Sequence, residues 1–345
     1  MTRLWVTRRT VWLSSLSMAA ISAAPRASAD TRKDDTVRFG AVIGALGALR
    51  TALPSVETKH GLKFDIKDFR ETTSALLALD QGELDVANIT SQHLVRAISE
   101  GMNVVWVCGW GGGYNVLVAR KGFDVPTGDD AAVKAAIRTR GRQGKPVTIG
   151  VPTGSMQHAK LSLYLKSLGI DGERDARIVN IPFANHPRAL EAGEVDMAMT
   201  LGVFGAIAID KGDAQLVRHL FGDSQGKQEI GFAVSRSLIS ARPELVQHVV
   251  GSLVEAMKTF MGDPDRRIEL ERKYSRLPEA VIAMQERQFL KYDYRTNVAD
   301  LKNMAKELRQ LGWIREDYSD RIDKYVDFAF LATATGQSPA QLSTW

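Results

Sequence analysis

The chain has 345 residues, of which 25% are charged, and its one cysteine, Cys108, rules out an intrachain disulfide. The formal charge of +5 sits in the N-terminus: Arg3, Arg8, Arg9 and Arg26 fall within the first 29 residues, which hold no acid, leaving 41 basic against 40 acidic side chains beyond them. A balance this close to neutral offers no electrostatic footprint for nucleic acid, and the length suits two domains of ordinary size.

The first element is an export signal. Arg3, Arg8 and Arg9 precede an uncharged run, Val11 to Ala24, and Ala27-Ser28-Ala29 is an A-x-A cleavage site. The run is too short for a membrane span, which needs about 20 apolar residues. Thr7-Arg8-Arg9-Thr10-Val11 partly matches a twin-arginine signal, so Sec and Tat export both stay open. Cleavage after Ala29 leaves a periplasmic protein starting at Asp30.

Thr36 to Val42 then reads as a strand ending in the turn Ile43-Gly44-Ala45-Leu46-Gly47, with a helix from Leu49 to Lys59 and a strand from Lys63 to Phe69. Thr72-Thr73-Ser74 is an N-cap cluster for a helix over Ala75 to Gln81, and Gly82 stops it. Leu84 to Ile89 is a buried strand, and Thr90 and Ser91 cap the next helix, which runs to Glu100. Two strands, Val104 to Cys108 and Asn115 to Arg120, flank the glycine cluster around Trp110, and Cys108 reads as a small buried hydrophobe. Asp129 to Arg140 is an amphipathic helix. A second strand–turn–helix follows from Val147, with Ser155 and Met156 opening its helix. Gly231 to Ser235 is a returning strand. The remainder reads as helices over Pro243 to Met261, Asp265 to Tyr274, Pro278 to Lys291, Val298 to Leu311 and Asp317 to Phe330.

One sentence is written twice. Ala78-Leu79-Asp80-Gln81-Gly82-Glu83-Leu84-Asp85-Val86-Ala87 and Ala189-Leu190-Glu191-Ala192-Gly193-Glu194-Val195-Asp196-Met197-Ala198 share the pattern A-L-acid-x-G-E-apolar-D-apolar-A, 111 residues apart. That spacing exceeds solenoid periods of about 20 to 50 residues, so the copies read as two similar lobes. The predicted fold is α/β: two lobes with mostly parallel sheets joined by a two-strand hinge near Tyr114 and Gly231, and a helical C-terminal region packed on the first lobe. The first lobe takes residues 30–117 and 231–345, the second 118–230. Ligand sites favour such interlobe crevices.

The candidate ligand residues lie in the loops at the ends of the strands. They are Gly44 after the first strand, Thr72 and Thr73 after the second, and Asn88, Thr90 and Ser91 at the third. Their second-lobe counterparts are Thr153, Gly154, Ser155 and Met156, then Asn185, then Thr200. Trp110, in the glycine cluster, either stacks on a ligand or fills the hinge. Around Gly154 and Ser155, unpaired N–H groups at a helix start favour an anion. No lysine follows Gly154, which excludes a phosphate loop of the NTPase kind. His93, His158 and His186 lack metal spacing, Ser155 has no evident base, and no nucleophile elbow exists. Asp85 and Asp196, at strand entries, read as structural. No catalytic residue, metal or cofactor is predicted.

These motifs resemble the nitrate/sulfonate/taurine group of solute-binding proteins of ABC importers, a fold shared with the pyrimidine-synthesis proteins of thiamine biosynthesis. The resemblance covers Val37 to Asp263. It is carried by Ala78 to Thr90, Val147 to Leu168, Leu190 to Gly212 and the helix start Ala241-Arg242-Pro243-Glu244. It implies a type II periplasmic-binding fold, ligand capture by lobe closure, and ligand contacts from the same loops, extended to Ala45 and Leu46 beside Gly44 and to Leu201 beside Thr200. The implied partners are a small anion (sulfonate, nitrate or taurine-like) or small heterocycle, an ABC permease and, through it, an ATPase, with the binding protein itself monomeric. Two departures bear on the ligand. Met199 to Phe204 stands where relatives carry a tryptophan-containing segment, and the cysteine-rich motif of the pyrimidine-synthesising enzymes is absent. Alternatives are a periplasmic sensor, a TRAP-type receptor, or an enzyme on the same scaffold.

Overall fold

A computed structural model describes residues 36–42, 46–172, 174–222 and 225–345. The export signal and its cleavage site, and the candidates Gly44 and Ala45, lie outside the described residues.

In chain order the strands are β1 (Thr36–Val42), β2 (Lys63–Phe69), β3 (Val86–Thr90), β4 (Val104–Gly112), β5 (Asn115–Arg120), β6 (Thr148–Val151), β7 (Arg177–Asn180), β8 (Met197–Leu201), β9 (Ala214–His219), β10 (Ile230–Ser235) and β11 (Lys291–Tyr292). They form two sheets, ordered β11-β4-β10-β3-β1-β2 and β7-β6-β8-β5-β9. In the first, β1 runs parallel to β2 and β3, while β10 lies antiparallel between β3 and β4. In the second, β6 runs parallel to β7 and β8, while β5 lies antiparallel between β8 and β9. The odd strand of each sheet is the one the chain reaches on crossing over: β5 directly after β4, and β10 directly after β9.

Helices cover both faces of each sheet. One face of the first sheet buries Phe39, Val107 and Phe232 against the helix Pro243–Lys258. Its other face buries Ala87, Ile89 and Trp106 against the helices Ser91–Glu100 and Val298–Gln310. In the second sheet, Leu117, Met197 and Met199 face the helix Met156–Ser167, and Val116, Val118 and Ala198 face the helix Gly202–Asp210. The alternation along β5 and β8 follows from the two-residue period of a strand.

The repeated sentence folds identically. Gly82 (φ 75°) and Gly193 (φ 68°) take the left-handed conformation that ends each helix. Behind them, Glu83 N–H donates to Ala78 O and Glu194 N–H to Ala189 O, both at 2.8–2.9 Å. Asp85 Oδ2 accepts from Arg38 N–H at 2.7 Å, and Asp196 Oδ2 from Thr148 N–H at 3.0 Å. Their own N–H groups return to the Arg38 and Thr148 carbonyls, each at 2.9 Å. Each aspartate thus ties the entry of its lobe's third strand to the first, and arginine partners (Arg38; Arg120 and Arg140) neutralise the charge. These are structural roles.

Several expectations change. The sheets are mixed rather than mostly parallel. The helix over Leu49 to Lys59 is two, Gly47–Ala52 and Pro54–His60, since Pro54 has no N–H to continue the first, and β4 runs on through the glycine cluster to Gly112. Thr72 and Thr73 lie inside the helix Thr72–Asp80, whose N-cap is Glu71. The Thr73 hydroxyl is engaged by His93 Nε2 at 3.2 Å rather than by its own helix. The run Pro278 to Lys291 is not one helix: Glu279–Met284 passes into a wide turn over Gln285–Phe289 and then into β11, which pairs with the edge of β4. Asp317 to Phe330 is likewise broken, because Val326 bridges to Trp106 on β4 and the helix begins only at Ala329. Finally, the tail does not stay on one lobe. Val281 and Phe289 enter the second-lobe core against the helix Gly202–Asp210.

Cys108 is fully buried in β4, and burial pushes its thiol well up in pKa, as suits a small core residue.

Candidate ligand site between the lobes

The lobes meet across a crevice bounded by the start of the helix Ser91–Glu100 on one side and the start of the helix Met156–Ser167 on the other. Gln92 Nε2 donates across it to Gly154 O at 2.9 Å. His158 and Trp313 lie ring to ring at 5.1 Å. Ala159 is buried in the first lobe's core. The Lys160 ammonium donates to Gln225 O at 2.5 Å and sits 3.5 Å from Glu307.

On the first-lobe wall, Thr90 caps its helix by accepting from His93 N–H at 3.3 Å and bonds His93 Nδ1 at 2.7 Å. Thr73 takes the other ring nitrogen. Burial, and then Arg96, lower the His93 pKa to about 4, so the ring is neutral and links two threonine hydroxyls. On the second-lobe wall, Ser155 caps the helix by accepting from His158 N–H at 3.1 Å. Several N–H groups expected to be free there are paired: Thr153 N–H donates to Asn180 Oδ1 at 2.9 Å, Gly154 N–H to His158 Nδ1 at 3.1 Å, and Ser155 N–H to Pro152 O at 3.2 Å. Asn180 and His158 have taken two of the donors an anion would use.

The floor lies where the chain crosses between sheets. Ser91 N–H donates to Glu229 O, and Glu229 N–H to Gly111 O. Glu229 Oε2 accepts Tyr114 N–H at 2.9 Å, and Asn115 Nδ2 reaches Met156 Sδ at 3.8 Å. Ser91, Asn115 and Glu229 are all buried, yet Ser91 Oγ, Asn115 Oδ1 and Glu229 Oε1 have no hydrogen-bond partner, nor does Gln92 Oε1 at the mouth. Buried polar atoms are nearly always paired, so a group of four marks a place where a partner is missing.

The remaining candidates are dispersed. Asn88 accepts from Val42 N–H at 2.9 Å and fixes the end of β1. Thr200 Oγ1 is also unpartnered, but Thr200 lies opposite Val116 in β5, on the face covered by the helix Gly202–Asp210. Asn185 is exposed at the end of a short turn over Phe183–Asn185, and Thr72 is half-buried beside Thr73. Leu201 packs against the first-lobe core. Leu46 lies inside that core, as does Trp110, wedged edge-on among Phe232, Phe260 and Tyr292 with its N–H on Tyr114 Oη at 2.7 Å. Sequence reasoning overlooked Gln92, Asn115 and Glu229. The usable signal was a polar residue at the mouth of an apolar strand: Asn115 before VLVA, and Glu229 before IGFAV. Among the described residues, no set of three His, Cys, Asp or Glu side chains gathers as metal ligands.

Burial raises the Glu229 pKa from 4.5 to about 7, against the pull of the Tyr114 N–H, Lys160, the Asn115 amide and the Gly113 N–H beside the carboxylate. Between those values the folded chain keeps a proton that the unfolded chain releases. The cost of this carboxylate therefore grows as pH rises from about 4.5 through about 7. Glu229→Gln removes that cost. The variant should be more stable than the parent at pH 8, by up to about 3 kcal/mol, with the gap closing towards pH 5. Urea titrations of both proteins at the two pH values check it, and a gap of the same size at both would exclude Glu229 as the titrating group.

Two lobes, two exchanged strands and a polar crevice at the crossing define the class of periplasmic-binding-protein folds. The chain belongs to the NMT1-like family, whose model matches residues 48–271. No curated protein sequence matches it. Many solved structures share its fold, among them the following three. The periplasmic nitrate-binding protein NrtA from Synechocystis PCC 6803 is 12% identical with a TM-score of 0.71, covering 90% of this chain and 91% of that one. The alkanesulfonate-binding protein SsuA from Xanthomonas axonopodis pv. citri, bound to MOPS, is 19% identical with a TM-score of 0.68, covering 86% and 100%. The periplasmic aliphatic sulphonate binding protein SsuA from Escherichia coli is 17% identical with a TM-score of 0.66, covering 85% and 92%. At these identities the likeness is one of fold, and these three are named as binding proteins.

Proposed function

We propose that this chain is an exported, non-enzymatic solute-binding protein that closes its two lobes over a small molecule and delivers it to an ABC permease and its ATPase. The observation that carries this reading is the group of unpartnered polar atoms, buried where β4 passes into β5 and β10 returns. A clamp needs a ligand contact on each lobe and a flexible crossing between them. Ser91 and Glu229 border the first sheet, and Asn115 and Met156 the second. The signal ending at Ala29 supports delivery to the periplasm, and the protein works there as a monomer. Catalysis is not required, because the transport energy comes from the ATPase.

A thermal-shift screen of small solutes tests the reading. A ligand at about 100 times its Kd should stabilise the mature protein by about 2.7 kcal/mol. A screen in which every stabilising solute acts equally on a variant with the crevice blocked, Ser91→Trp, would place the site elsewhere.

A further inference from the structure

The chemistry of the missing partner can be read from the atoms left without one. Glu229 Oε1 and Gln92 Oε1 are acceptors, and Ser91 Oγ can serve as one. The orientation of Gln92 is fixed, because its amide nitrogen must face the Gly154 carbonyl, leaving its oxygen as the free atom. Most of the nearby donors are engaged. The N–H groups of Thr153, Gly154 and Ser155 are paired. The nearest cation, Lys160, is held by Gln225 O and Glu307. Arg96, on the first-lobe wall, bonds Glu100 at 2.8 Å. Nitrate or a sulfonate brings only acceptors and a negative charge. Against this floor it would meet a buried carboxylate, with the Ser91 hydroxyl the one unpaired donor among the groups just named.

We infer that the ligand presents N–H donors to Ser91, Gln92 and Glu229, and is a small amine, amidine or guanidine carrying positive charge. The inference rests on the crevice being the ligand site. It assigns to Glu229 the charge partner, and to Gln92, which already bridges the lobes, the contact that ties ligand capture to closure.

Calorimetric titration of the mature protein with benzamidine, agmatine and putrescine, and in parallel with nitrate and methanesulfonate, tests it. At least one of the three cations should bind, and neither anion should. Glu229→Gln should weaken the cation at least about tenfold. Ser91→Ala removes a hydroxyl that bonds nothing in the protein, so the fold is untouched, and it should weaken the cation about fivefold or more. Nitrate or methanesulfonate binding, undisturbed by Glu229→Gln, would overturn the inference and leave the clamp reading standing. Cation binding that both variants leave unchanged would overturn the assignment to this floor. A protein that binds neither class would overturn both the inference and the clamp reading on which it rests.

Discussion

Replacing Gly109 by valine is expected to prevent folding. Gly109 lies in β4, fully buried, and a Cβ there would fall on the carbonyl oxygen of Arg295, with the Asp293 carbonyl beside it. Neither is the movable end of a side chain. The Asp293–Arg295 segment is held in place by Gly109 N–H donating to Tyr294 O at 2.7 Å and by β11 pairing with Gly111 and Gly112. Overpacking of ordinary cores costs about 1–3 kcal/mol. A clash with two fixed carbonyls should exceed that and approach the whole stability of a domain, about 5–15 kcal/mol. Gly262→Ala is the control, since nothing lies within 4 Å of its Cβ position. Soluble yield and circular dichroism read the outcome. A folded, stable Gly109→Val protein would mean that the tail does not lie against β4.

The second large effect concerns Arg267. It is buried with Glu286: Nε meets Glu286 Oε2 at 3.0 Å, Nη2 meets Glu286 O at 2.9 Å and Nη1 meets Met261 O at 2.9 Å. Glu286 Oε1 also accepts from Tyr292 Oη at 3.0 Å. Breaking a buried pair by removing one partner strands the other charge, at about 3–5 kcal/mol. Arg267→Met should therefore lower stability by about that much, with a matching fall in the urea midpoint and an unchanged slope. The loss should be larger at pH 8 than at pH 5. Glu271 stands close by, with its carboxyl pushed up to about 7 by burial and by Glu286 itself, and both acids are more nearly neutral in acid. A loss below about 1 kcal/mol would mean that the pair is exposed to solvent when the protein breathes.

Both variants probe the part of the molecule that local sequence patterns describe least well. The two lobes were legible because each repeat carries its own instructions. A left-handed glycine ends a helix, and an aspartate three residues on ties the third strand to the first, so Gly82 with Asp85 and Gly193 with Asp196 could be read without knowing anything distant. The tail was misread where its backbone serves a remote partner. Tyr325 O and Asp327 N–H bond the backbone of Trp106, more than two hundred residues earlier, and this overrides the helical period of Asp317 to Phe330. The glycine cluster at 109–113 reads as a flexible crossing, but Gly109, Gly111 and Gly113 are small because tail carbonyls lie against them.

The candidate site divides in the same way. Thr90, Ser155 and Ser91 were legible because helix starts announce themselves. Asn115 and Glu229 were not, because their importance lies in what they fail to bond after folding. Conversely, Leu46 and Trp110 occupy suggestive places in the sequence but turn into the first lobe's core, where apolar area is buried.

Small-angle scattering from the mature protein, without ligand and saturated with the solute that the thermal screen finds, tests the clamp most directly. The lobes meet through side chains such as Gln92, His158 and Lys160 and through the tail residues Val281 and Phe289, and the chain crosses between them at β4–β5 and β9–β10. Such domain motions run on the μs–ms scale. Saturation should shrink the radius of gyration, and Lys160→Ala, which removes the Glu307 contact, should enlarge it in the unliganded protein. Scattering profiles that coincide with and without a tightly bound solute would contradict capture by lobe closure.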